Sequence, residues 1–277
     1  MDENRAVLSR SAPPPDLTIP YGEGPDRLAD CWLASGPGAP VMILWHGGFW
    51  RSAFDRMHIR PMASAFRDAG FTVVTPEYRR TGDAAEGGWP ATFDDVAQAS
   101  DLLPGLLAVQ GIAADRIVHA GHSAGGHLAV WTARRHRLPV GSPWRRERDR
   151  RIVGALALAP VLDLAEAFRL DLDGGAVAAL LGGGPETIPD RYATADPTRI
   201  GGSDPPVTIL HGDADGRVPV DISRQFAAAG FGVLEVLPGA DHFAVIDPES
   251  AVWPNVVRAV RALVAFDPCH EPKGDRG

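Results

Sequence analysis

The sequence predicts an α/β fold, a mostly parallel sheet with helices on both faces. Three observations carry that reading. Short apolar runs at 41–45, 71–75, 116–120, 152–159, 207–210 and 233–237 read as buried strands. Segments of helical pattern at 57–69, 92–110, 126–137, 220–229 and 251–266 alternate with them, as crossover helices do between parallel strands. The chain has 277 residues, 45% of them hydrophobic, enough for one large core.

Taken in order, residues 1–25 lack periodicity and include Pro13-Pro14-Pro15, so an extended lead-in is expected to drape over the body. Residues 26–277 are expected to form one domain. An early strand at 28–34 precedes Gly36-Pro37-Gly38, which turns the chain into the strand at 41–45. Gly70 closes the helix at 57–69, and Pro104 is expected to kink or end the helix at 92–110. The charged run at 144–151 reads as a solvated loop. Residues 163–200 are too long for a simple connection and carry Gly174-Gly175 and Gly182-Gly183-Gly184. They are expected to form a small cap over the site.

Composition narrows the function classes. A net charge of -8 offers no general attraction for nucleic acid or an anionic membrane. Lys273 is the only lysine, so the basic residues read as compositional bias and not as a phosphate site. Cys31 and Cys269 lie at opposite ends of the chain, and their spacing resembles neither a disulfide framework nor a metal site. The acidic, proline-rich start has no apolar signal core, and a cytoplasmic location is the expectation.

The chemistry gathers around Gly121-His122-Ser123-Ala124-Gly125, set between an apolar strand and an Ala/Leu-rich helix. A Gly-x-Ser-x-Gly turn in that position has the form of a nucleophile elbow, with Ser123 exposed at a helix N-terminus. His46-Gly47-Gly48-Phe49-Trp50 ends an earlier strand, and consecutive glycines let backbone N–H groups turn inward. Gly48, Phe49 and Ala124 are the expected oxyanion donors. Serine needs a base, and His242 lies in the loop after the last expected strand. His122 and His127 flank Ser123, whereas His58, His119, His136 and His270 lack a partnering context. Asp213 and Asp215 both follow a strand, and spacing does not separate them. Asp163 is an outside candidate, and Asp241 adjoins His242 too closely to orient it.

From about Tyr21 to Phe266 the chain resembles the α/β-hydrolase-fold esterases. Its His-Gly-Gly-x-Trp and Gly-His-Ser-Ala-Gly motifs resemble the kynurenine formamidase (arylformamidase) branch. The family places its acid within His211-Gly212-x-x-Asp215-x-x-Val218-Pro219, which favours Asp215. The resemblance implies a triad of Ser123, Asp215 and His242 acting on a small-molecule acyl amide or ester, with no metal or organic cofactor. Trp50, Tyr78 and Trp89 are expected pocket walls. Aryl formamide hydrolysis is the first expectation, short-chain carboxylester hydrolysis the alternative, and a non-catalytic binding protein a remote one.

Overall fold

The computed structural model describes residues 5–36, 38–82 and 86–265. Strands β1 (Leu17–Pro20), β2 (Leu28–Trp32) and β3 (Val41–Trp45) come first, followed by helix α1 (Arg60–Asp68) and β4 (Thr72–Pro76). Helix α2 (Ala91–Val109), β5 (Ile117–His122), α3 (Ala124–Ala133) and β6 (Ile152–Leu158) follow. Four short helices come next: α4 (Leu164–Arg169), α5 (Ala176–Leu181), α6 (Pro189–Ala195) and α7 (Pro197–Ile200). The chain then runs through β7 (Val207–Gly212), α8 (Val220–Ala228), β8 (Val233–Leu237) and α9 (Trp253–Ala265).

The strands form one eight-stranded sheet in the order β1-β2-β4-β3-β5-β6-β7-β8. Only β1 and β2 run antiparallel to their neighbours. The alternation of side chains along β3 shows why its whole run is apolar. Val41, Ile43 and Trp45 pack on one face with Leu103 and Trp131, while Met42 and Leu44 pack on the other with Phe66 and Val260. Both faces are covered, so no polar face is needed.

Two sequence expectations are corrected. The stretch read as an extended lead-in contributes β1, paired antiparallel with β2 through Leu17 and Cys31. Pro104 neither ends nor divides α2, and its ring is buried in the core. The charged run is a loop whose residues 145–147, 150 and 151 are exposed, as expected, but Trp144 is buried with its indole donating to Asp94, and Arg146 and Arg148 pair with Asp101 and Asp204. Residues 163–200 carry helices α4 to α7. Asp196 anchors them, accepting from Leu164 and Ala165 N–H of α4 and from Thr198 at the start of α7. Among the described residues no helix is long and apolar enough to cross a membrane. Cys31 is buried as a free thiol, and Cys269 and His270 lie outside the described residues.

Candidate active site

His46, Ser123, Asp215 and His242 all follow the carboxyl ends of strands, β3, β5, β7 and β8 respectively, so the topology gathers them at one sheet edge. Ser123 has φ 55° and ψ -119°, a conformation that only a strained turn imposes on a residue with a side chain. The flanking glycines are required by contact. A Cβ at Gly121 would lie 2.1 Å from the Gly125 carbonyl oxygen, and one at Gly125 would lie 2.1 Å from that of Trp45.

The His46–Trp50 turn packs directly on the Ser123 turn, since a Cβ at Gly47 would meet Ser123 Cβ at 3.2 Å. Gly48, Phe49 and Trp50 have consecutive positive φ angles of 103°, 49° and 56°. Hydrogen bonds of other residues brace the bend: Arg51 N–H to Gly48 at 2.9 Å and Thr81 N–H to Trp50 at 2.7 Å. Beneath it, His46 Nε2 lies 2.7 Å from Glu77 Oε1, and the Tyr78 hydroxyl donates to the His46 carbonyl. Glu77 also accepts from Arg56 N–H at 3.0 Å and pairs with Arg80 at 3.2 Å. Burial opposes its ionisation, but His46 and Arg80 outweigh burial and bring its carboxyl down to about 2.

Asp215 Oδ2 accepts from His242 Nδ1 at 2.7 Å and from His211 Nε2 at 3.1 Å. Its Oδ1 accepts from the Arg217 and Val218 N–H groups at 2.8 and 2.9 Å. Burial works against the charge, yet these donors hold the carboxyl well below the usual range. His211 Nε2–H is shared with the Val218 carbonyl, so its Nδ1 accepts from the Ser223 hydroxyl at 2.7 Å. The other aspartates are occupied elsewhere. Asp213 is exposed and accepts from Gly239 N–H, Asp241 accepts from Phe243 and Ala244 N–H, and Asp163 caps α4. His122 Nε2–H donates to the His242 carbonyl at 2.9 Å, tying the elbow to the histidine loop.

Ser123, His242, Gly48 and Phe49 line one cavity of about 220 Å³, together with Leu8, Phe54, His58 and Phe243. A wider bowl of about 640 Å³ shares Phe49, Asp173 and Arg217 with it and continues outward past Leu170 and Asp241. The three expected pocket walls do not line the cavity. Trp50 is fully buried, with its ring edge-on to His127 at 5.3 Å, because the left-handed turn sends Phe49 into the cavity and Trp50 into the core. Tyr78 stacks on His46 at 4.3 Å and supports the turn from below. Trp89 packs against Phe93 and Trp144, with the Arg191 guanidinium over its ring. Sequence reasoning missed Glu77, His211 and His58. The placement of Glu77 directly after β4 and of His211 in the last residues of β7 was the available signal.

The sequence profile of the BD-FAE family matches residues 33–229, a span that includes Ser123 and Asp215. The chain belongs to the BD-FAE family. The BD-FAE match agrees with curated relatives from Mycobacterium tuberculosis. The chain is 31% identical to "Esterase LipQ" over 76% of its length and 51% of that protein. It is 30% identical to "Probable carboxylic ester hydrolase LipM" over 76% of its length and 50% of that protein. This BD-FAE chain thus spans about half the length of these relatives. The solved structure of Esterase B from Lactobacillus rhamnosis superposes with a TM-score of 0.74 at 19% identity, covering 94% of this chain and 89% of that one. That likeness shows the α/β-hydrolase fold.

Proposed function

We propose that this protein is a serine esterase hydrolysing short-chain carboxylic esters through an acyl-enzyme on Ser123. The observation that carries the reading is the Asp215–His242 hydrogen bond of 2.7 Å in a site whose cavity also holds Ser123 and the Gly48-Phe49 turn. In that arrangement His242 takes the Ser123 proton as Oγ attacks the ester carbonyl carbon. Asp215 keeps the proton on His242 Nδ1 and leaves Nε2 as the base. The N–H groups of Gly48, Phe49 and Ala124 receive the oxyanion, a contribution typically worth about 10²–10³ in kcat per donor. His242 then protonates the departing alcohol, and water releases the acid from Ser123 by the same steps.

The curated relatives are named as esterases, which supports the ester over the aryl formamide. The formamide reading rests on the His46–Trp50 motif, and of its two aromatics only Phe49 faces the cavity. A side-by-side assay of p-nitrophenyl acetate, p-nitrophenyl butyrate and N-formylkynurenine tests the choice. Ester turnover well above formamide turnover is expected. Rapid formamide cleavage with negligible ester cleavage would overturn it.

A further inference from the structure

The cavity beside Ser123 holds an imidazole that the hydrolysis does not use. His58 lies in the 3-10 turn Arg56–Ile59, with its ring edge-on to His46 at 5.8 Å and to Phe54 at 5.9 Å. The Asp55 carbonyl oxygen is 2.6 Å from His58 Nδ1. A carbonyl only accepts, so Nδ1 carries the proton. Burial first, and His46 second, bring the ring down to about 4, so near neutrality Nε2 bears a lone pair. The cavity wall carries apolar side chains, Leu8, Phe49, Phe54 and Phe243, together with Arg5, His122, Asp173 and Arg217. Leu8 is held there by the buried Val7 beside it and by the Arg10 pairing with Asp247.

An acceptor beside an apolar ring such as that of Phe54 penalises a ligand that covers it with hydrocarbon and favours one that brings a donor. The acyl group stays on Ser123 while the alcohol leaves, so the smaller cavity suits the acyl group and the wider bowl the alcohol. We propose that His58 Nε2 accepts a hydrogen bond from a hydroxyl on the substrate's acyl chain, making short hydroxyacyl esters the preferred class. This rests on the esterase reading and sharpens it.

The test compares p-nitrophenyl β-hydroxybutyrate with p-nitrophenyl isovalerate, in which a methyl group replaces the hydroxyl. The wild-type protein is expected to favour the hydroxyacyl ester by about tenfold in kcat/KM, the scale of one neutral hydrogen bond. His58→Asn retains a donor for the Asp55 carbonyl but does not reach the cavity, and its preference should fall to about one. His58→Gln places an amide near the Nε2 position and should keep part of the preference. A wild-type ratio at or below one, or an undiminished ratio in His58→Asn, would overturn the proposal while leaving the esterase reading intact. If neither ester is cleaved the esterase reading fails, and thermal shifts with the two free acids still decide on His58. Greater stabilisation by β-hydroxybutyrate, lost in His58→Asn, is expected, and equal shifts would refute it.

Discussion

Glu77 and Asp196 are both buried carboxylates, and the regions they anchor are held in opposite ways. Glu77 sits under the oxyanion turn among His46, Arg80 and the Arg56 backbone, and its charged form is favoured down to about 2. Asp196 sits between α6 and α7, where its partners are neutral: three backbone N–H groups and the Thr198 hydroxyl. Burial there outweighs those donors and pushes its carboxyl up to about 6. Charged partners can offset the desolvation of a carboxylate, whereas dipoles alone leave part of it uncovered. The turn beside Ser123 is therefore held by a carboxylate that stays charged down to about 2, and helices α4 to α7 by one that titrates at about 6.

The strongest way to break this comparison is Glu77→Gln. Removing one member of a buried charged cluster takes the carboxylate from His46 and Arg80, although Arg80 keeps Asp26 and the Phe54 carbonyl, and typically costs about 3–5 kcal/mol. Urea unfolding at neutral pH should show a loss of that order together with a fall in kcat. A variant as stable and active as the parent would refute the anchoring role.

Acid titration of stability gives the next largest effect. The unfolded Glu77 value is 4.5 and its folded value is about 2, so its contribution is complete above 4.5 and is lost as pH falls toward 2. Asp196 has the opposite sign, with an unfolded value of 3.8 and a folded value of about 6. Its contribution rises as pH falls from above 6 toward 3.8. The wild-type minus Asp196→Asn difference in unfolding free energy should therefore grow on acidification across that window. A flat or shrinking difference would contradict it.

At neutral pH Asp196→Asn should cost less than Glu77→Gln, about 1–2 kcal/mol, because its amide turns a donor toward groups that are themselves donors. Smallest is Asp213→Asn. That side chain is exposed and accepts one bond from Gly239, so kcat should change little, while Asp215→Asn should lower kcat by orders of magnitude. Purified variants with the reverse ranking would move the acid to Asp213.

The parts of the site legible in the sequence are those where a local steric demand fixes the residue type. Gly121 and Gly125 admit no Cβ, and Gly48 bends back against the Phe54 ring, so the motifs around them are visible as spacing. The supports were not legible, because their partners are distant in the chain. Glu77 is 31 residues from His46, and Asp196 is 32 from Leu164. The fate of Trp50 depended on a positive φ at a non-glycine residue, which no residue pattern announces. β1 escaped notice because a four-residue edge strand with partly exposed residues and a terminal proline has no apolar run.

The central claim is that Ser123 is the nucleophile of this assembly, and covalent labelling tests it most directly. The wild-type protein should take up one fluorophosphonate adduct, located by mass spectrometry on the peptide containing Ser123. The folded Ser123→Ala variant should take up none and lose ester turnover. Labelling of that variant, or ester cleavage at the parent rate, would contradict the account.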